Sequence, residues 1–518
     1  MITMGHFVRR GAREFSDRVA IKFQDRAFTF SETNERANRL ANGLMNLGVQ
    51  KGDRVAILLN NCNQWVETDF AIMKSGFVRV GLNARLSMKE HEYVLNDCEA
   101  STLVVGHNFL EGIRTMQPEL KFLKRIISVG PPGGGEMDFE GLISRSAAAE
   151  PRVEMEETDL FRIAYTSGTT GKPKGVMLTH KASKHTMLNM MLERPVGPSD
   201  VMLHVGPLSH ASGSYVLPHW VRGAKSVIMD HFDIETFLTF IQKERVTNLM
   251  MVPTMIIRLL NYPDLKKYDL SSLRSIGYGA APMAEDKIKE AFKVFGPILS
   301  QGYGQMEAPM TISYLSREDH VMDGSPEKAK RLLSAGKPYM DVQVKVVDED
   351  GKEVSPGEVG EIIVKSDHQM IGYWKKEKET QEAIKNGWIY TRDMGYMDEK
   401  GYLYLVDRKG DMIISGGFNI YPREIEEVLN RYPAVMEVAV IGVPDEQWGE
   451  AVKALIVLKP GMQAKEDDLI NFCNENLTRF KKPKSIEFVP DLSKNPYGKI
   501  DKKILKEKYW AGRTRRIN

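Results

Sequence analysis

Short apolar runs separated by stretches of helical periodicity recur through the first part of this chain, and that alternation limits the possible folds more than any other feature. Residues 31–48 set Ala37, Leu40, Ala41, Leu44 and Leu47 on one helical face, with Ser31 expected as N-cap and Gly48 as the stop. The run Val55 to Leu59 follows and reads as a strand buried on both faces. A second helical stretch ends near Gly76, Val78 to Leu82 is strand-like, and a helix–strand pair fills Ser87 to Val105. Such alternation predicts a parallel sheet with helices on its faces. Further runs (Ile163 to Thr166, Val201 to Val205, Val227 to Met229, Asn248 to Val252, Ser275 to Tyr278 and Ile298 to Tyr303) stand before glycine-bearing turns. Ligands of such sheets bind beyond the carboxyl ends of the strands.

Near residue 340 the rhythm changes. VQVKVVDEDGKEV and GYLYLV alternate at period two around tight turns, which predicts antiparallel β structure over about 335–408. After DRKGD at 407–411 comes a helix from Pro422 to Leu429 and the strands Val435 to Ile441 and Ala451 to Leu458. The expected fold is therefore α/β. A large N-terminal domain over 1–408 carries layered, mostly parallel sheets with helices plus the antiparallel portion, and a small, mobile α+β domain occupies 409–518. PPGGGE at 131–136 is expected as a flexible surface loop.

At 518 residues the chain exceeds what one compact core supports, and 42% hydrophobic with 27% charged residues excludes collagen, coiled coil and wholesale disorder. The net charge of +2 exerts no global pull toward nucleic acid or an anionic membrane. Three cysteines (Cys62, Cys98, Cys473) lack metal-ligand spacing, so neither a disulfide framework nor a zinc site is expected. No uncharged apolar run reaches the roughly 18 residues of a membrane span. A cytoplasmic location is expected, without stable membrane insertion.

The densest chemical signal is Tyr165-Thr-Ser-Gly-Thr-Thr-Gly-Lys-Pro-Lys-Gly175. Glycines let backbone N–H groups approach phosphate oxygens, Thr166, Ser167, Thr169 and Thr170 add hydroxyl donors, and Lys172 and Lys174 add charge, a combination suited to polyphosphate. It is not a Walker A loop, because only two residues separate Gly168 from Gly171-Lys172 and Pro173 stands where Ser or Thr would coordinate magnesium. No G-x-S-x-G elbow occurs anywhere, which excludes a serine hydrolase of that type.

This loop resembles the signature of the adenylate-forming superfamily, which includes acyl-CoA synthetases, luciferases and peptide-synthetase adenylation domains. Gly277-Tyr-Gly-Ala-Ala-Pro282 resembles the family's adenine-side turn, through Gly279, Ala280, Ala281 and Pro282. Gly302-Tyr-Gly-Gln-Met-Glu307 resembles its second nucleotide motif: the resemblance implies that Tyr303 lies against adenine, that Gly302, Gly304, Gln305 and Met306 contact nucleotide, and that Glu307 with Thr166 holds Mg²⁺. Met306 stands where family members usually carry a hydroxyl residue. Asp393 in Tyr390-Thr-Arg-Asp393 and Arg408 in Asp407-Arg408 resemble the ribose-binding pair. Gly410 stands at the family's hinge position, usually Asp or Lys; read singly, Asp407 to Asp411 is also a plain charged turn. Gly416 and Gly417 resemble the strand lining the pantetheine tunnel, and Lys499 in Asn495-Pro-Tyr-Gly-Lys499 resembles the lysine that bridges the reacting carboxylate and α-phosphate.

The resemblance implies an AMP-forming acid:CoA ligase with Mg²⁺–ATP, a carboxylic acid and CoA as reactants and Lys499, Glu307 and His210 as catalytic residues. A homodimer is a family-level expectation. Pro207-Leu-Ser-His-Ala-Ser-Gly213 resembles the segment beside the acyl group, with His210, Ser212, Gly213, Val252 and Gly279 expected around the acid. Ala211 occupies the place of the aspartate that meets the substrate ammonium in amino-acid-activating domains, favouring an acid without an α-amino group. Medium- or long-chain fatty acids and aryl acids both remain open. So do carrier-protein loading by a stand-alone adenylation enzyme and a non-catalytic nucleotide-binding relative. Arg479, Lys481, Lys482 and Lys484, with the basic stretch 499–518, read either as contacts for CoA phosphates or as solvated faces.

Overall fold

The structure is a computed structural model, and it describes residues 2–166, 172–281, 283–322, 324–416, 418–495 and 499–511. The apolar runs divide between two large sheets. One has nine strands, with Leu299–Gln305, Ser275–Gly279, Asn248–Met251, Val201–His204, Lys225–Ile228 and Val19–Phe23 side by side and parallel. The other has eight, with Leu160–Tyr165, Val78–Gly81, Arg54–Leu58, Thr102–Gly106 and Arg125–Val129 forming its parallel centre. Both gain antiparallel strands at their ends.

Strand alternation explains the layering. Val55 and Ile57 point into a core shared with Ala20, Ile21 and Ile228 of the nine-stranded sheet, whereas Ala56 and Leu58 face a separate cluster with Val94, Leu95 and Ile113. Between the sheets lie the helices Met4–Glu14, Phe30–Asn46, Asn63–Ser75 and Val216–Val221. Trp220 fills their centre, 4.4 Å from Phe30 and 4.7 Å from Phe70 by ring centroids. Helices Ile234–Glu244, Pro253–Leu260 and Glu285–Phe295 cover the outer face of the nine-stranded sheet.

Helix Phe30–Asn46 begins one residue earlier than its expected cap. Thr29, not Ser31, is the N-cap: its side chain accepts from the Glu32 N–H while the Glu32 carboxylate accepts from the Thr29 N–H. That reciprocal pair satisfies two of the donors that a helix start leaves open, which a cap at Ser31 does not.

An antiparallel five-stranded sheet is built from Gln343–Val347, Gly360–Lys365, Trp388–Met397, Ile384–Lys385 and Leu403–Arg408. Lys337–Pro338 still pairs with Ala308–Leu315 of the nine-stranded sheet. Beyond Arg408 the chain enters a small domain whose strands Ile413–Ser415, Gly449–Leu458, Val435–Asp445 and Ser485–Phe488 close on Ile425, Leu429, Leu469 and Cys473. Among the described residues no helix is long and apolar enough to cross a membrane.

Candidate active site

The glycine- and hydroxyl-rich segment connects two antiparallel strands, Leu160–Tyr165 and Gly175–Thr179, with Tyr165 opposite Gly175. Ser167, Gly168, Thr169, Thr170 and Gly171 lie outside the described residues. The base of the loop is closed by the Thr166 N–H, which donates to the Lys174 carbonyl at 3.0 Å, and by the Lys174 N–H, which donates to Thr166 Oγ1 at 3.3 Å. Helix Met88–Asp97 buttresses it, since the Tyr93 hydroxyl donates to the Pro173 carbonyl (3.0 Å) and the Tyr165 hydroxyl to Asp97 (2.6 Å). Lys172 Nζ stands 5.4 Å from the centroid of the Tyr93 ring, and Lys174 Nζ 4.5 Å from that of Tyr373.

Sequence reasoning missed Tyr373. Its hydroxyl donates to Glu307 Oε1 at 2.7 Å, so this one phenol touches both the loop cation and the acidic residue of the second motif. Burial and the neighbouring Glu307 charge push its hydroxyl well above the usual tyrosine range. Glu307 and Met306 occupy the turn between Leu299–Gln305 and Ala308–Leu315, where Gln305 pairs with Ala308. Glu307 makes no ion pair with the described residues, so its charge is free to meet a cation. The Gln305 Nε2 group is buried without a hydrogen-bond partner, a donor available to a ligand. Met306 packs with Val176, Leu178 and Met370, which explains an apolar side chain at that position.

Gly279 closes the strand Ser275–Gly279 opposite Gly302. A Cβ at Gly279 would meet the Gly302 carbonyl oxygen at 2.5 Å, and a Cβ at Gly304 the Met310 N at 2.5 Å, so both positions require glycine by close approach. Exposed Ala280 follows with φ of 68°, a left-handed conformation that costs a non-glycine residue about 1–2 kcal/mol. Pro282 lies outside the described residues, and Ala281 is half-buried.

Tyr303 is 8% exposed, with its ring in a core shared with Ala308, Ile312 and Ile362, and its hydroxyl donates to Asp393 Oδ2 at 2.7 Å. Arg408, directly opposite Asp393 in the sheet, donates through Nε to Oδ1 at 3.0 Å. Each oxygen of Asp393 thus holds one donor and keeps lone pairs free. The carboxylate is aimed by backbone strain, because Arg392 sits at φ of 61° with its N–H on Glu361.

Lys499, on the small domain, lies within electrostatic range of this pair. Its backbone is set by Asn495, whose N–H donates to the Lys499 carbonyl (2.7 Å) and whose side chain accepts from the Lys499 N–H (3.1 Å). Burial and then the Arg408 charge pull the Lys499 ammonium down to about 8, against the attraction of Asp393. Burial likewise pushes His210 down to about 4, with the positive charges of Lys499, Arg79, Arg85 and Arg162 adding to it. His210 is therefore neutral at physiological pH, with Nδ1 2.8 Å from Ser209 Oγ. Asn61, also missed in the sequence, fixes this segment by donating to the Gly206 carbonyl (2.9 Å) and accepting from the Leu208 N–H (2.8 Å).

The residues expected around the acid have different local surroundings. The Ser212 hydroxyl lies 3.2 Å from buried His204 Nδ1, and the side-chain space of Gly213 is filled by the Leu208 carbonyl, 1.9 Å from where a Cβ would stand. Both serve the tight turn rather than an open wall. Val252 caps helix Pro253–Leu260. Gly279, by contrast, shares one face of the nine-stranded sheet with Gly277 and Gly302, beside Met250.

Gly416 sits at φ of 58°, where a Cβ would lie 2.6 Å from the Trp448 indole, and its N–H donates to the Trp448 carbonyl at 2.9 Å. Gly417 lies outside the described residues. At Gly410 nothing stands within 4 Å of a Cβ and φ is not positive, so neither space nor backbone demands glycine there. Lys506 of helix Lys502–Trp510 pairs with Asp411 at 3.2 Å, tying the connection to the end of the small domain.

Residues 8–374 match the AMP-binding enzyme family and residues 424–499 its AMP-binding enzyme C-terminal domain. The medium/long-chain-fatty-acid–CoA ligase FadD8 of Mycobacterium tuberculosis is 34% identical, over 99% of this chain and 91% of the relative. A feruloyl-CoA synthase from an Amycolatopsis species is 36% identical, over 98% and 99%. Among solved structures, the anthranilate CoA ligase AuaEII in complex with anthranoyl-AMP superposes with a TM-score of 0.90 at 28% identity, covering 98% of this chain and 97% of that one. ATP-bound MatB from Rhodopseudomonas palustris gives a TM-score of 0.89 at 30% identity, over 98% and 99%. With both family regions matched in order and relatives aligned along nearly its whole length, the chain belongs to the AMP-binding enzymes of the adenylate-forming superfamily.

Proposed function

We propose that this chain is an ATP-dependent carboxylic acid:CoA ligase that releases AMP and pyrophosphate and acts on a fatty or aryl acid. The observation that carries the reading is the Asp393–Arg408 pair, joined by the Tyr303 hydroxyl and within electrostatic range of Lys499 of the small domain, which also acts on His210. The names of the relatives support the same activity.

A carboxylate does not react with a thiol, because oxide would have to leave. Attack of the carboxylate on the α-phosphorus of ATP forms an acyl-adenylate and expels pyrophosphate, after which AMP is a good leaving group. No enzyme nucleophile is needed, so rate enhancement comes from positioning and charge stabilisation. In this reading Lys172 and Lys174 meet the departing phosphates, Asp393 and Arg408 hold the ribose, and Lys499 stabilises charge at the α-phosphate. Glu307 and Thr166 offer oxygen donors suited to Mg²⁺, which takes one or two carboxylates together with substrate phosphates and, when bound, supplies charge neutralisation there. Rotation of the small domain, taken as 409–518 against 1–408, then withdraws Lys499 and brings the Gly416 strand to the site, where the CoA thiol attacks the acyl carbon.

Carboxylate-dependent ATP–pyrophosphate exchange across a panel of acids, followed by CoA addition with AMP and thioester measured, tests the proposal. Exchange and stoichiometric thioester are expected. Exchange without thioester would replace CoA by a carrier protein as acceptor, and no exchange with any acid would leave a nucleotide-binding protein without ligase activity.

A further inference from the structure

The sheet face at Gly277, Gly279 and Gly302, which carries no side chains of its own, abuts a charged group that the reaction does not use. Arg194, just beyond helix His180–Glu193, lays its guanidinium against that face: a Cβ on Gly277 would meet Nη1 at 2.9 Å, and one on Gly302 would meet Nη2 at 3.3 Å. Gly279 is at the end of its strand, and Gly277 lies two residues deeper, ~6–7 Å at the usual strand rise.

This cation has no anion. Among the described residues no carboxylate lies within ion-pairing distance of it. Nη1 donates to the Tyr215 hydroxyl, the rings of Tyr215 and Tyr314 stand 5.8 and 5.2 Å from the guanidinium, and Nε is buried without a partner. Arginine stays protonated at any working pH, and a partly buried guanidinium whose nearest polar partners are phenols, with Glu193 acting on it only through space, is an incomplete ion pair. Arg194 and Gly277, with Met190, Met202, Tyr215 and Asn248, line a cavity of about 20 Å³, room for about one water molecule. A long alkyl tail would have to pass a charge and then stop.

Resting on the ligase reading, we propose that Arg194 makes the enzyme selective for acids that carry a second carboxylate at the far end, short aliphatic or aromatic diacids whose distal anion completes the ion pair with the guanidinium. Met190, Met250 and Met310 supply the apolar walls between the two ends. Arg194 is a specificity-determining residue, remote from the reacting atoms.

The test measures acid-dependent AMP release, in the presence of CoA, by the full-length chain with adipate and terephthalate, their monomethyl esters, octanoate and ferulate. The esters keep length and shape and remove one charge. Expected is a diacid-over-ester preference in kcat/KM of about 10- to 100-fold, the range for a hydrogen bond to a charged group. R194M abolishes the preference, mainly by raising KM for the diacid, while ester turnover persists and reports an intact fold; R194K retains part of it. Acid-dependent turnover in which esters or octanoate equal the diacids, or a preference unchanged in R194M, overturns the assignment of Arg194 alone. No acid-dependent AMP with any compound overturns the ligase reading and this proposal together.

Discussion

Replacing Lys499 by alanine removes a small-domain cation within electrostatic range of Asp393 and Arg408, and its proposed role sets both the size and the pH dependence of the effect. The ammonium is half-buried beside Arg408 and is pulled down to about 8. At pH 7 roughly nine molecules in ten carry the charge. A positioned donor aimed at developing charge contributes about 10²–10³ in rate, or about 3–4 kcal/mol. The ATP–pyrophosphate exchange rate of K499A should fall by that factor. Thioester formation from added acyl-adenylate and CoA should change less than about threefold, because in the proposed mechanism the second half-reaction runs with Lys499 withdrawn. The sign with pH follows from the charged form being the active one. In the wild type, kcat/KM for ATP, which reports the free enzyme, is level below pH 7 and falls about tenfold per unit above pH 8. K499R, which stays cationic, is slower but loses that alkaline limb. Equal losses in both half-reactions of K499A, or an alkaline limb that survives in K499R, would refute the role assigned to Lys499.

Three further variants probe other parts of the assembly. Y303F keeps the ring and removes the hydrogen bond to Asp393, so KM for ATP should rise about 3- to 10-fold and denaturant unfolding should show a loss of about 1.5–3 kcal/mol; an unchanged KM would detach Asp393 from the ribose. Asp69 pairs at 2.7 Å with buried Arg79, whose register partner is Arg162, so D69A leaves two adjacent arginines uncompensated and should lower stability by about 3–5 kcal/mol in a thermal or urea unfolding assay. G416A meets both the left-handed backbone and the Trp448 indole; it should slow thioester formation about tenfold while leaving pyrophosphate exchange within twofold, and equal slowing of both would remove Gly416 from the second half-reaction.

Local signals in the sequence carried far. The helix over 31–48, the strands before glycine turns and the period-two segments after residue 340 all follow from spacing and side-chain volume, and each has its counterpart in the structure. Even the cap at Thr29 was there to be read, since Thr29 and Glu32 have the three-residue spacing of a capping box. What stayed hidden depends on contacts between distant segments. Nothing in the run Val55–Leu59 says that it belongs to a different sheet from Val201–His204, because both are equally apolar and the partition is settled by helices buried between them. Tyr373 and Arg194 escaped for the same reason: one reaches Glu307 across 66 positions, and the other meets Gly277 and Gly302 only after the sheet is assembled. Ser212 and Gly213 show that small residues also build tight turns: one hydroxyl meets His204 and the other's side-chain space holds the Leu208 carbonyl.

The phenol of Tyr373 has a thermodynamic consequence for nucleotide capture. Had Lys174 and Glu307 closed on each other as a salt link, each arriving triphosphate would first have to prise that link apart, and the energy of the rupture would subtract from affinity. An aromatic face toward the cation and a hydroxyl toward the carboxylate satisfy the two separately, so a basic and an acidic group stay poised without first having to be pulled apart. Substituting leucine at that site would let opposite charges collapse together, and weakened ATP binding would be the mark of it.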